Sequence, residues 1–277
     1  MKLDIDKAGG KAAALVDLDR YPIHDLASPE GRALVAACRS TFEETGVLAL
    51  QGFLKPEATA LLAAEARGLE GAAYHYATDH TVYFSPPDPD LPADHPRRTT
   101  VRTDKGNVPY DLIPRSAHLR AFYEWDATLA FVAAVLCQPE LTRHPDPMAA
   151  LNINVHDEGQ ELGWHFDRAQ FAVTLALQQS EEGGVFQYAP GLRNDADENY
   201  PGVARVIAGD AEVRELTAPP GTLSLFRGHH SLHRVTPGSG PSKRLLAALS
   251  YVTEPTTFSA YARNLFYGRE QPAATPE

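Results

Sequence analysis

Two histidines, an aspartate and an arginine carry the clearest chemistry in this chain. His165 and Asp167 stand two apart at the end of LNINVHDEGQELGWHFD, residues 151–167. Side chains alternate along an extended segment, so positions two apart point the same way. One imidazole nitrogen and one carboxylate oxygen then converge on a single ion. An HxD pair is common by chance, and a distal half gives this one weight. That half is His233, which opens His-Arg-Val-Thr-Pro within LSLFRGHHSLHRVTP, with Arg244 following after ten intervening residues. Two histidines and one carboxylate on one face of a metal leave open positions, the arrangement of non-haem Fe(II) oxygen chemistry. His229 and His230 also satisfy the distal spacing. His233 is preferred for its HRVTP context and its distance from Arg244.

The pattern HxD, a long gap, His, ten residues, Arg resembles the Fe(II)/2-oxoglutarate-dependent dioxygenase superfamily. The segments HFDRAQFAVTLALQ, GGVFQYAPGLR and LSLFRGHHSLHRVTP resemble its branch of bacterial free-amino-acid hydroxylases and radical lysine halogenases, a similarity spanning residues 98–254. The resemblance implies Fe(II), 2-oxoglutarate and O2 as cofactors, with His165, Asp167 and His233 as metal ligands and catalytic set. It implies Arg244 as the salt-bridge partner of the distal carboxylate of 2-oxoglutarate, a task suited to a rigid, always-charged guanidinium fork. Asn154 and His156 fall in the cosubstrate region. Relatives carry Asn-x-Tyr-x-x-Gly there; this chain reads Asn154-Val-His156-Asp-Glu-Gly159, with histidine in the tyrosine position.

In the halogenases of this branch a small residue replaces the carboxylate and frees an iron position for chloride. Asp167 therefore points to hydroxylation of an unactivated C–H in a small polar substrate, a free amino acid or a derivative. The resemblance leaves desaturation and ring formation open, and a non-catalytic cupin-like metal-binding module is the rival from another class. Arg244 counts against that module, which has no cosubstrate carboxylate to bind. Arg168 occupies the position where the lysine halogenases place an acid against the substrate amine. Its reversed charge suits a substrate carrying a carboxylate. Arg98 and Arg102, beside a proline-rich loop, are candidates to clamp an α-carboxylate, with a solvated charge as the alternative for each.

These residues need a scaffold that holds short strands in register. From Ala149 onward the chain alternates apolar and polar residues in short runs separated by Pro/Gly turns, which predicts a mainly β fold: a double-stranded β-helix, the jelly-roll or cupin-like core, with flanking helices. Residues 1–277 read as one dioxygenase domain. Residues 1–148 form a helical flank, 149–254 the β-core and 255–277 a C-terminal extension. In the flank, residues 1–20 read as a loose arm. Ser28-Pro29-Glu30 starts a helix to about Glu44, Val47–Leu50 reads as a strand, and Pro56 opens a second helix through Arg67. Residues 74–98 read as an irregular loop, and 116–138 as one continuous helix with an apolar face from Leu119 to Leu136.

A net charge of −11 and a pI near 5.4 argue against nucleic acid or an anionic membrane as partner. A small-molecule substrate is expected instead, and oligomeric state is not legible. Cys38 and Cys137 read as buried small hydrophobes in helices. Sparse cysteine, an acidic N-terminus and the lack of a long apolar run lead to the expectation of a cytoplasmic protein.

Overall fold

The computed structural model describes residues 5–277. Helices α1 (Ile5–Ala13) and α2 (Pro29–Thr45) lead into β1 (Val47–Leu50), and α3 (Pro56–Leu69) precedes β2 (Tyr74–His80) and β3 (Val101–Val108). Helices α4 (His118–Glu124) and α5 (Asp126–Leu136) and the short β4 (Thr142–Arg143) complete the flank. The core then runs β5 (Leu151–His156), β6 (Leu162–His165), β7 (Ala172–Gln178), β8 (Glu182–Gly183) and β9 (Phe186–Ala189). Helix α6 (Tyr200–Ala208) interrupts it before β10 (Arg214–Leu216), β11 (Leu223–Phe226), β12 (Leu232–Val235), β13 (Gly238–Ser239), β14 (Arg244–Leu249) and β15 (Tyr251–Val252), and α7 (Ala260–Tyr267) follows.

A seven-stranded sheet of order β1-β11-β7-β14-β5-β3-β2 faces a four-stranded sheet of order β10-β9-β12-β6. Among the described residues, the strand pairings in both sheets are antiparallel, giving the expected jelly-roll core. The alternation of the sequence fixes its two faces. Leu151, Ile153 and Val155 stand opposite Leu249, Ala247 and Leu245, and these side chains join the main core with Leu62, Phe122 and Phe131 from the helices. Burying each of the larger of these side chains, Leu, Ile, Val or Phe, contributes roughly 1.5–3 kcal/mol. The other face of the same two strands carries Asn152, Asn154 and His156 opposite Ala248, Leu246 and Arg244. Polar side chains thus line the inside of the barrel.

Helix α2 starts where its signals predict: Ser28 caps Gly31 N–H at 2.9 Å, proline follows, and Gly46 ends the helix at φ 72°. Three expectations need correction. The segment 116–138 is two helices, because Trp125 is extended (ψ 124°) between them. The apolar stripe runs on across this break, so periodicity hides it. Residues 74–80 are not irregular but form β2, paired along its whole length with β3. The N-terminal stretch is no loose arm among the described residues: Leu15 and Val16 are buried, and Asp17 N–H bonds Phe53 C=O at 3.0 Å. Residues 1–4 lie outside the described part.

Cys38 is buried as expected, whereas Cys137 is exposed as the left-handed cap of α5, φ 54°. The C-terminal segment is fastened back: fully buried Asp146 receives Arg263 Nη2 at 2.7 Å, and Asp111 receives Arg269 Nη2 at 2.7 Å. Removing one partner of such a buried pair costs about 3–5 kcal/mol. No helix of the described residues is long and apolar enough to cross a membrane.

Candidate active site

Strand register builds the centre of the site. His165 ends β6 and His233 lies on β12 directly opposite it, ring centroids 4.0 Å apart. Asp167 follows His165 by two, and its Oδ1 lies 3.5 Å from Nε2 of each histidine. The two rings are held alike. His165 Nδ1 bonds the Gly163 carbonyl at 2.8 Å, and His233 Nδ1 bonds the Ser231 carbonyl at 2.9 Å. A carbonyl only accepts, so Nδ1 carries the proton and Nε2 presents its lone pair inward, as a metal-binding imidazole must. Both histidines are buried, at 4% exposure.

The electrostatics agree with this assignment. Burial first, and His233 second, push the His165 pKa down to about 4, so the ring is neutral at neutral pH. Burial alone would raise the Asp167 pKa, but His233 and His165 hold it well below the usual carboxylate range. Two neutral imidazoles and one carboxylate, with ligand atoms within 4.8 Å of one another, form a lone-pair cluster with no proton to share. That donor set fits a divalent cation of the Fe(II) type.

Arg244 lies on β14, opposite His156 on β5. Its Nη1 is buried with no hydrogen-bond partner among the described residues, and burial pulls its pKa down to about 10. Both ring nitrogens of His156 are likewise buried and unpartnered among those residues. Orphaned buried polar atoms are rare and costly. A guanidinium and an imidazole left open on one interior face fit a carboxylate ligand. Asn154 Oδ1 accepts from Lys105 Nζ at 2.6 Å.

The weaker arginine candidates are placed differently. Arg102 lies on β3 with Thr103 and Lys105 as neighbours, and by alternation its side chain takes the opposite face. It is half exposed and pairs with Asp104 at 3.3 Å and Asp79 at 4.0 Å. Arg98 is exposed and donates to the carbonyls of Pro89 and Leu91, clasping the proline-rich loop. Both arginines are engaged with local partners. Arg168 is exposed at the rim, its Nη2 3.4 Å from the Phe84 carbonyl. His229 Nδ1 bonds the Asp167 carbonyl at 3.0 Å, and His230 Nε2 bonds Asp195 at 2.9 Å. His229, His230 and Asp195 converge as a second, partly exposed group.

Four contributors escaped the sequence reading. Gly228 lies against the Asp167 carboxylate, and Lys105 reaches in from β3. Arg193 stacks over the Phe166 ring at 4.1 Å, donates Nε to the His229 carbonyl at 2.7 Å and pairs with Glu198 at 3.0 Å. It thereby ties the segment bearing His165 and Asp167 to the segment leading into His233. Phe84, at φ 53°, packs its ring 5.2 Å from that of His165. A left-handed aromatic residue is strained, and such strain gathers at functional sites.

This fold, with its His-Asp-His cluster, is that of the Fe(II)/2-oxoglutarate oxygenase superfamily. Within it, the sequence profile of halogenase D matches residues 31–265, and the chain belongs to that family. Among solved structures, the epimerase SnoN in complex with Fe3+, α-ketoglutarate and nogalamycin RO matches with TM-score 0.59 and 16% identity, over 89% of this chain and 96% of that one. The carbocyclase SnoK from nogalamycin biosynthesis matches with TM-score 0.55 and 12% identity, over 78% and 82%. A prolyl-4-hydroxylase from Pseudomonas putida matches with TM-score 0.50 and 16% identity, over 78% and 97%. At such identities the likeness speaks for the fold alone. No curated protein matches the sequence significantly.

Proposed function

We propose that this protein is an Fe(II)- and 2-oxoglutarate-dependent hydroxylase of a small polar molecule, a free amino acid or close derivative. His165, Asp167 and His233 would hold the iron, and Arg244 the distal carboxylate of 2-oxoglutarate. When bound, iron with 2-oxoglutarate and O2 supplies the oxidising power to cleave a C–H bond, with succinate and CO2 as co-products. The protein's part is to bind, orient and exclude water. Gly163 and Ser231 carbonyls fix both imidazoles with Nε2 inward. Phe84 and Phe226, with rings 5.2 and 4.8 Å from His165 and His233, provide apolar walls beside the ligands.

One observation carries the choice of outcome within a family of halogenases: the Asp167 carboxylate lies equally close to both histidines, 3.5 Å from each Nε2. A charged oxygen would thus take the third ligand position. Arg168 at the rim supports a substrate bearing a carboxylate, by its charge.

The test is aerobic incubation with Fe(II), 2-oxoglutarate and a panel of amino acids, following succinate and product mass. Substrate-dependent succinate with a hydroxylated product is the expected result. His165→Ala, Asp167→Ala and His233→Ala should each abolish it, whereas His229→Ala and His230→Ala should retain iron binding. Loss of iron in His229→Ala with retention in His233→Ala would reassign the distal ligand.

A further inference from the structure

Resting on the oxygenase reading above, we propose that Lys105 is a second cationic anchor for the cosubstrate, sharing the distal carboxylate of 2-oxoglutarate with Arg244.

The argument starts from register. On the β3–β5 ladder, Gly106 pairs with Val155 and Asn107 with Asn154. One further step sets Lys105 opposite His156, which already stands opposite Arg244 on β14. Residues directly opposite in a ladder share a face. Arg244, His156 and Lys105 therefore form one row across three adjacent strands on the inside of the barrel. Lys105 Nζ donates to Asn154 Oδ1 at 2.6 Å, a contact that holds the ammonium on that face without neutralising it.

Among the described residues, no carboxylate forms an ion pair with either cation of this row. Burial is the first cause that lowers the Lys105 pKa, Arg244 the second, and Asp167 acts in the opposite sense. Lys105 thus lies within electrostatic reach of both Arg244 and Asp167. Burial, Arg244 and Lys105 together keep His156 neutral between them. Two like charges held in a low-dielectric interior are costly unless an anion joins them. The amide of Asn154 is uncharged, and Arg244 Nη1 has no partner at all among the described residues. A carboxylate that accepts from both cations, with His156 as a neutral neighbour, satisfies the row.

The experiment measures oxo-acid binding calorimetrically, without O2, to protein loaded with Mn(II). It compares 2-oxoglutarate with 2-oxopentanoate, which has the same chain length but no distal carboxylate. Lys105→Gln removes the charge and keeps a donor for Asn154; Lys105→Met repeats the test with an apolar side chain. Each variant should bind 2-oxoglutarate about ten- to a hundredfold more weakly, the size of one charge-assisted hydrogen bond. Mn(II) affinity and the weak binding of 2-oxopentanoate should stay as in the wild type. Unchanged 2-oxoglutarate affinity in both variants, or equal weakening toward both oxo acids, would overturn the role of Lys105 and leave the oxygenase reading intact. Wild-type protein that binds Mn(II) but no 2-oxoglutarate would overturn the reading itself.

Discussion

Gly228 and Asp167 are in closer contact than any side chain at 228 would allow: a Cβ there would fall 1.8 Å from Asp167 Oδ2. The Gly228 carbonyl also accepts the Asp167 N–H at 3.1 Å. The glycine therefore sets where the carboxylate points, from a loop that carries no ligand.

Gly228→Ala should accordingly swing Asp167 away from the two imidazoles. Metal affinity should fall about ten- to a hundredfold, the usual loss when the support of a metal ligand is removed. The melting temperature of the metal-free protein should change little, since the obstructed group is a side chain at the cavity. Titration with Mn(II) and a thermal melt separate the two effects. Unaltered metal affinity would mean that the loop yields and the carboxylate does not.

Arg244→Ala should raise the concentration of 2-oxoglutarate needed for half-maximal turnover by a large factor, with iron binding nearly intact. Truncating one partner of a buried charged pair costs roughly 2–5 kcal/mol. The buried, unpartnered Nη1 is the observation behind this expectation. An unchanged 2-oxoglutarate requirement would move the carboxylate site elsewhere in the barrel.

The cluster of His165, Asp167 and His233 and the barrel were legible for different reasons than the rest. His165 ends β6 and Asp167 stands two residues further on, a spacing that the sequence shows directly. The alternation from Leu151 to His156 shows which face is polar. Lys105 was not legible, because its role depends on β3 pairing with β5, and nothing local announces which strands become neighbours. Arg102 shows the same limit from the other side: beside a cationic row in sequence, it is turned away by one step of the pleat. Trp125 breaks a helix whose apolar periodicity runs straight through it. Gly228 could be read only once its neighbour in space was known.

Acid should weaken the metal-free protein well above the carboxylate range. His80, His144, His156 and His165 all have folded-state pKa values below the ordinary 6.5, with burial the first cause of each. The unfolded chain then binds more protons between the two values, so stability rises with pH there. The contribution is complete above about 6.5 and is lost as pH falls through the folded values. For His165 that window runs from 6.5 to about 4, an effect on the order of 3 kcal/mol at its limit. Calorimetric melts of metal-free protein should therefore fall steadily from about pH 7 to about pH 5, before carboxylates titrate. A flat melting temperature over that range would show that these rings are not held neutral.

Chloride is the test of the reaction's outcome. The chain belongs to a halogenase family, and in the halogenases it resembles a small residue stands where Asp167 stands. Here the carboxylate lies between both histidines, 3.5 Å from each Nε2, and they hold its pKa well below the usual range, so it is ionised at neutral pH. A bound halide would have to displace a charged ligand fixed by Gly228 and by its own backbone N–H, which costs far more than filling an empty position. With a turning-over substrate and excess chloride, mass spectrometry should find hydroxylated product and no chlorinated product. Asp167→Gly removes the carboxylate beside a residue that is already glycine, which leaves room for an anion next to two histidines. Chlorination should be confined to that variant, accompanied by loss of hydroxylation. A chlorinated product from the native protein would overturn the assignment of Asp167 as the third ligand.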